Sequence, residues 1–179
     1  MTVAAGPKYD TVAMALHWLV AALMIFMLFL GEELMETEEG GGTLAPSLHV
    51  SIGIAILALS VLRLLWRLIN PPPHYPPSMA PWEQIASKAM VLIFYALLIG
   101  LPLTGWFAMP KFLSEEPAMT GISVFGALPL PAAPSLGLPM KGIHELGSNL
   151  SIALLALHVL AALKHHFINR DDILRRMLP

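Results

Sequence analysis

The chain contains no cysteine, and this absence excludes two classes of metal centre. Iron–sulfur clusters need cysteine thiolates, and covalent haem attachment needs a CxxCH motif. Charge is also scarce, since only 12% of the 179 residues are Asp, Glu, Lys or Arg, whereas 56% are hydrophobic. With a mean hydropathy of +0.71, this composition excludes an ordinary soluble domain and indicates an integral membrane protein.

Four apolar stretches are long enough to cross a bilayer, whose hydrocarbon core of about 30 Å requires about 20 helical residues. The sequence predicts an all-α membrane protein, one domain over residues 1–179. Its four transmembrane helices are expected at about 12–30, 48–69, 83–108 and 143–167. No small-residue cleavage site follows the first stretch, so we expect a helix of the mature protein rather than a signal peptide.

Cations concentrate at one set of helix ends, which indicates how the chain is oriented. Eight Lys and Arg residues lie at these ends, and two lie at the others. Because cations are retained on the cytoplasmic side, we predict that both termini are cytoplasmic. The eight are Lys8, Arg63, Arg67, Lys88, Lys164, Arg170, Arg175 and Arg176, and the two are Lys111 and Lys141. The loop after the first stretch is acidic, with Glu32, Glu33, Glu36, Glu38 and Glu39.

Proline marks the other connections. Residues 70–81 should form a stiff, extended cytoplasmic link in which His74 is exposed and has no role. Residues 109–142 form the longest segment expected outside the membrane, and its apolar patch ISVFGALPL is expected to lie on the membrane surface or to meet a partner. Pro102 should kink the third helix, and we assign it packing only.

Four histidines, two of them on the fourth stretch, pair by depth across the predicted bundle. His17 begins the first helix near the cytoplasm, and His49 begins the second at the opposite face. His144 and His158 are fourteen residues apart, which separates them by about 21 Å along one helix and returns them to within about 40° of one face. His144 therefore matches the depth of His49, and His158 matches that of His17, while the third helix has no histidine.

Paired imidazoles at matched depth favour axial coordination of haem iron. Without cysteine the haem must be b-type and non-covalent, so the sequence predicts two b haems. The residue four positions after each histidine is small, which leaves room for a macrocycle on the same helix face. These residues are Ala21, Gly53, Ser148 and Ala162. Two alternatives stay open at this point, namely a proton or metal pathway, or simple hydrogen bonding between helices.

Several sequence strings resemble prokaryotic cytochrome b561, and together they cover all four predicted helices. They are HWLV at His17, LHVSIGIAILALSVLRLLWRL from Leu48, GLPLTGW from Gly100, KGIHE at Lys141 and LHVLAALKHHFINRDDILRRMLP from Leu157. The resemblance implies a four-helix bundle in the bacterial inner membrane that holds two b haems and exchanges electrons with membrane quinone. It implies that His17 and His158 bind the cytoplasmic-side haem, and that His49 and His144 bind the periplasmic-side haem. The best-known bacterial branch of this family looks like a superoxide oxidase, which passes electrons from periplasmic superoxide to ubiquinone.

Further residues are candidates for binding at the cytoplasmic end. Arg63 and Arg67, one helical turn apart, are candidates for haem propionates because guanidinium binds carboxylate bidentately, although cytoplasmic anchoring explains them equally well. His165, with His166 and Lys164, is our candidate quinone site, since a quinone headgroup needs a donor and a proton source. A basic interfacial anchor is the alternative.

On the periplasmic side, Lys141 precedes His144 by three residues and is a candidate for attracting superoxide. The five glutamates nearby weaken this steering hypothesis, and an ordinary loop lysine is the alternative. The chain also departs from many relatives by having Lys88 and Val91, instead of a histidine, early in the third helix.

The sequence leaves three possible functions open. The first is a self-sufficient superoxide:ubiquinone oxidoreductase, and the second is a membrane cytochrome b subunit for a periplasmic dehydrogenase or cytochrome. The third is a histidine-based proton or metal transporter without haem. We expect membrane lipid, quinone and a periplasmic electron donor as partners, with a redox partner protein or a homodimer as further possibilities, and no nucleic acid.

Overall fold

The computed structural model describes residues 7–35, 43–115, 121–131 and 133–178. Four long helices make up most of these residues. They are α1 Thr11–Leu30, α2 Leu44–Ile69, α3 Pro81–Glu115 and α4 Met140–Leu163. Each is long and apolar enough to cross a membrane. The predicted four-helix transmembrane bundle is therefore confirmed. Glu36, Glu38 and Glu39 of the acidic loop lie outside the described residues.

Hydrogen bonds at both ends of α1 fix it antiparallel to α2. Asp10 caps α1, because its Oδ1 accepts from the backbone N–H of Ala13 at 2.9 Å, which also holds the pKa of the Asp10 carboxyl below its usual range. The same oxygen accepts from Trp66 Nε1, near the end of α2, at 3.0 Å. At the opposite end, the ring of His49 in α2 contacts the carbonyl of Gly31, which follows α1. We call these two ends of the bundle the His17 end and the His49 end.

One apolar cluster lies midway between the two ends. It consists of Val20, Met24, Ile56, Leu98 and Leu101 from the first three helices. Outside it the helices present apolar side chains outward, such as Leu65 at 52% exposure and Leu92 at 71%. Such a surface is stable only when lipid covers it, since exposed apolar area in water is unfavourable.

The third helix is longer than the predicted stretch 83–108, because it continues through Pro102 and Pro110 to Glu115. A proline removes one backbone donor, and transmembrane helices tolerate this loss when neighbouring groups satisfy the freed carbonyl. The segment expected to leave the helix at residue 109 therefore does so after Glu115. α3 packs closely on α4, where a Cβ on Gly147 would lie 2.7 Å from Leu101 Cδ2.

A small hairpin at the His49 end was not predicted. Strands β1 Ser123–Val124 and β2 Leu128–Pro129 pair antiparallel across a turn at Phe125 and Gly126. Ile122 and Val124 are buried, and Ile122 packs with Met109 of α3. The apolar patch of the sequence is thus an ordered hairpin seated on the bundle.

The C-terminal tail closes the His17 end. After α4 a π-helical turn, Lys164–Asn169, leads into Arg170 in the left-handed region, φ 54°. The tail then contacts α1, where Trp18 Nε1 donates to the carbonyl of Met177 at 2.8 Å. Arg176 Nη1 donates to the carbonyl of His74 in the proline-rich link, while the His74 side chain is exposed. The link and the tail therefore hold each other in place.

Candidate haem sites

The two histidines at the His49 end face each other across the bundle. The ring centroids of His49 on α2 and His144 on α4 are 6.1 Å apart. His144 begins the second turn of α4, and His49 lies in the second turn of α2, so both helices deliver an imidazole soon after they start. The structure thus brings together the pair that depth alone predicts.

The other two histidines meet at the His17 end. The ring centroids of His17 on α1 and His158 on α4 are 6.3 Å apart. Phe94 of α3 packs edge-on against His158, with ring centroids 5.4 Å apart. α4 therefore contributes one imidazole to each pair, and the apolar cluster lies between the pairs.

Both rings at the His49 end are held through Nδ1 by backbone carbonyls. His49 Nδ1 lies 2.8 Å from the carbonyl oxygen of Gly31, and His144 Nδ1 lies 2.9 Å from that of Leu101. A carbonyl oxygen can only accept, so each Nδ1 carries the proton and donates. The proton is then absent from Nε2, which leaves that nitrogen free to bind a metal.

Comparison with known proteins identifies the family to which the chain belongs. The sequence model of the prokaryotic cytochrome b561 family matches residues 8–179. The chain belongs to the prokaryotic cytochrome b561 family. It is therefore a membrane electron-transfer protein, and the transporter hypothesis of the sequence is superseded.

Individual relatives align with nearly the whole of this chain. Cytochrome b561 homolog 2 of Escherichia coli (strain K12) is 35% identical over 177 residues, covering 96% of this chain and 91% of the relative. A probable superoxide oxidase CybB of Yersinia pestis is 31% identical over 176 residues, covering 96% of both chains. Cytochrome b561 homolog 1 of Escherichia coli (strain K12) is 27% identical over 175 residues, covering 96% of this chain and 97% of the relative.

Haem b is the group that a cytochrome b561 implies, and the imidazole separations fit it. A metal–imidazole bond of about 2 Å, with about 1.1 Å from nitrogen to ring centroid, places two axial rings about 6.2 Å apart. The two measured separations are 6.1 and 6.3 Å. Within the described residues, no three His, Cys, Asp or Glu side chains are grouped to hold a lone metal ion. Two imidazoles suit an iron whose remaining ligands come from a macrocycle.

Two glycines leave space at the His49 end of this cytochrome b561. Gly53 lies one turn after His49, and a Cβ there would meet no atom of the described residues within 4 Å. Gly105 of α3 faces His144, and a Cβ there would lie 3.1 Å from the ring carbon Cε1. Thr104 Oγ1, beside Gly105, is 3.3 Å from His144 Nδ1. The open space at Gly53 fits a flat macrocycle, while Gly105 allows the ring of His144 to approach α3.

Arg63 contacts one of the candidate ligands directly. Its Nη2 lies 3.0 Å from His17 Nδ1, and its guanidinium lies over the ring of Tyr95 at 5.7 Å. Arg63 also lines a cleft, and Arg67, Tyr9 and Trp66 line the same cleft. Arg63 is thus adjacent to the His17 pair, and Arg67 lines the same cleft as Arg63.

The three predicted quinone residues differ in their surroundings. His165 is buried at 7% exposure, and its Nδ1 lies 2.6 Å from Asp171 Oδ2. Lys164 pairs with Glu83 at the start of α3 and lies 5.5 Å from the Trp82 ring. His166 Nδ1 is buried and has no hydrogen-bond partner among the residues that the structure describes. Only His165 therefore combines burial with a carboxylate partner.

Lys141 lies apart from the imidazoles. Its side chain is 69% exposed and pairs with Glu145 at 3.9 Å, one helical turn further along α4. An exposed pair of this kind contributes little stability and is screened by salt. Glu145 also offsets the positive charge that the steering hypothesis requires.

Four contacts of these sites were missed from the sequence. They are the carbonyls of Gly31 and Leu101, and the carboxylates of Asp171 and Glu83. Backbone carbonyls carry no sequence signal of their own. Asp171 had a weak signal, since it follows the two histidines within one short segment.

Proposed function

We propose that this cytochrome b561 protein holds two b haems and couples oxidation of superoxide at the His49 end to reduction of ubiquinone at the His17 end. We further propose that it lies in the bacterial inner membrane with both termini cytoplasmic. The observation that carries the proposal is the pair of facing imidazole pairs, 6.1 and 6.3 Å apart, at two depths of one bundle. Each pair would supply the two axial ligands of one haem.

Haem b with two axial imidazoles takes up and releases single electrons, since its filled axial positions favour electron transfer over oxygen binding. At the His49 end, His49 and His144 would bind it through Nε2. The carbonyls of Gly31 and Leu101 fix the two rings and raise their basicity by accepting from Nδ1. At the His17 end, His17 and His158 would bind the second group.

The contact between Arg63 and His17 supports the proposal that Arg63 binds a haem propionate. A guanidinium has donors only, so the 3.0 Å contact requires an unprotonated His17 Nδ1. If His17 bound a metal through Nε2, a neutral ring would keep its proton on Nδ1, and Arg63 could no longer donate there. The freed guanidinium would then suit an anionic group such as a propionate, with Arg67 one turn away.

Reduction of one ubiquinone requires two electrons and two protons, so two superoxide ions would yield two O2 and one quinol. His165 is our proposed proton donor: Asp171 accepts from Nδ1 and orients the ring, and a second proton carried on Nε2 would pass to the quinone. The amide of Asn169 also lies 3.2 Å from Nδ1. Lys164, which is paired with Glu83, would position this end of α4 rather than supply protons.

The direct test supplies superoxide to the purified protein in nanodiscs and measures ubiquinol by absorbance. We expect quinol to form in the wild type and superoxide dismutase to abolish its formation. His49→Ala and His158→Ala should each reduce quinol formation to the uncatalysed rate. Uncatalysed rates in the wild type with both haems retained would overturn the superoxide assignment.

A second candidate is favoured by the charges at the His49 end. Glu145 offsets Lys141, and Glu32 and Glu33 are exposed, so the surface attracts cations more than anions. The electron donor would then be a positively charged periplasmic redox protein or dehydrogenase rather than superoxide. Salt-sensitive reduction of the haems by such a protein, without superoxide activity, would identify this function.

A further inference from the structure

The hairpin at the His49 end has a tight turn with an aromatic residue at an unfavourable position. Phe125 has φ 52° and Gly126 has φ 68°, and the N–H of Ala127 donates to the carbonyl of Val124 at 3.2 Å. Two successive left-handed residues are typical of a type I′ turn, whose first position normally holds Asn, Asp or Gly. A phenylalanine there is strained, which indicates that its side chain serves a purpose other than forming the turn.

Two serines of α2 fix how the hairpin lies on the bundle. Ser47 Oγ accepts from the N–H of Ser123 at 3.0 Å, and Ser51 Oγ accepts from the N–H of Phe125 at 2.7 Å. The two serines are one turn apart and buried, and Ser51 is further from the helix start. The tip of the hairpin therefore points along α2 toward the middle of the bundle.

The depth of the tip follows from the helix lengths. α1 has 20 residues and so spans about 30 Å, one hydrocarbon thickness. It ends at the level of His49, since Gly31 bonds His49. Counting from Arg67 at the other end of α2 gives a similar boundary, because about 30 Å corresponds to about 20 residues and reaches Ser47. Ser51 thus lies about 3 to 6 Å inside the hydrocarbon boundary.

The hairpin is apolar on both sides, but the described residues of the chain cover only one of them. Ile122 and Val124 are 5% and 6% exposed against the bundle. Phe125 and Leu128 are 65% and 64% exposed. The outward-facing side chains of Phe125 and Leu128 therefore contact whatever surrounds the bundle at the depth of Ser51.

We propose that residues 121–130 form a re-entrant wedge whose Phe125 and Leu128 side chains insert among the lipid acyl chains at the His49 end. Ser51 makes this depth possible, because a backbone N–H inside hydrocarbon needs an internal partner and Phe125 has one. The Ser51 hydroxyl is itself satisfied, since it donates to the carbonyl of Ser47 at 2.6 Å. The wedge thus anchors the segment that covers the start of α2, on either side of His49.

The test uses the absence of native cysteine. A nitroxide is attached to Phe125→Cys in nanodiscs, and its collisions with oxygen and with a water-soluble nickel chelate are compared by power-saturation EPR. Leu62→Cys, 50% exposed on α2 and about 7 Å inside the boundary counted from Arg67, serves as the lipid control. Lys111→Cys, 76% exposed on the part of α3 beyond the boundary, serves as the water control. We expect oxygen collisions to exceed chelate collisions several-fold at 125, as at 62, with the reverse at 111.

Two other results would overturn the proposal. Ready collision with the chelate at 125 would place the tip in water, and few collisions with either reagent would show that a protein covers it. A second variant tests the aromatic side chain itself. Phe125→Asn suits the turn better, so the hairpin should stay folded while a label at Leu128→Cys moves outward and its oxygen-to-chelate ratio falls several-fold. An unchanged ratio would contradict the anchoring role of Phe125.

Discussion

The Nδ1 atom of His49 lies 2.8 Å from the carbonyl oxygen of Gly31, the residue that follows α1. The last carbonyls of a helix have no partner within it, and here a side chain from the neighbouring helix satisfies one of them. His144 makes the equivalent contact with Leu101 of α3. Both imidazoles at the His49 end are thus oriented by the backbone of α1 or α3, which carry neither histidine of that pair.

Gly105→Ala should disturb the His144 ring, because the added Cβ would lie 3.1 Å from its Cε1. We expect weaker haem retention and a shifted reduction potential at the His49 end, with the His17 end unchanged. The matched control is Gly100→Ala on the same helix, where a Cβ meets nothing within 4 Å. Ala favours a helix over Gly by about 1 kcal/mol, so helix loss would not explain a defect. Equal titrations of the two variants would show that the close approach is unimportant.

Arg63→Gln should lower the reduction potential of the haem at the His17 end, because a nearby cation stabilises the reduced form. We expect a decrease of roughly 30 to 60 mV, given that about 59 mV corresponds to a tenfold change for one electron. Arg67→Gln, one turn farther along α2, should have a smaller effect. Redox titration of the two haems checks both variants, and an unchanged potential in Arg63→Gln would speak against the propionate role.

His165→Gln should slow ubiquinone reduction by roughly 10²- to 10⁴-fold, the usual loss for a general acid. Asp171→Asn should also slow it and alter its pH profile, because the ring loses the carboxylate that orients it. His166→Gln serves as the control, since His166 Nδ1 makes no hydrogen bond with the described part of the chain. The measurement is stopped-flow reduction of quinone with haem spectra recorded in parallel. Normal quinone reduction in His165→Gln would remove this residue from the site.

Lys141 and Glu145 give predictions of opposite sign for superoxide. Lys141→Gln should decrease the superoxide-dependent rate about two- to threefold at low salt, and Glu145→Gln should increase it similarly, because an exposed charge changes the encounter rate. Both effects should shrink at about 0.15 M salt, where the Debye length is about 8 Å. If neither substitution changes the superoxide-dependent rate, the electron donor is not superoxide.

The helices and the histidine pairs were predictable because both depend on spacing along the chain. Apolar length predicted four transmembrane helices, and the fourteen residues between His144 and His158 matched the depths of His49 and His17. The contacts of Nδ1 were not predictable, since any residue can offer the carbonyl that Gly31 and Leu101 provide.

Segments rich in proline were the least predictable. Pro110 suggested that α3 ends early, yet the helix continues to Glu115 because a proline removes only its own donor. The hairpin was missed because its strands have two residues each, and its turn places Phe125 where sequence rules expect Asn or Gly. Its order comes from Ser47 and Ser51, about 75 residues away in the chain.

We propose that the two imidazole pairs each hold one b haem. Pyridine haemochrome analysis of the purified wild type is the test, together with the variants His49→Ala, His144→Ala, His17→Ala and His158→Ala. We expect two b haems per chain in the wild type and one in each variant. His49→Ala and His144→Ala should share one residual spectrum and potential, and His17→Ala and His158→Ala should share the other. A wild type without two b haems, or residual spectra that cross these pairs, would contradict the account.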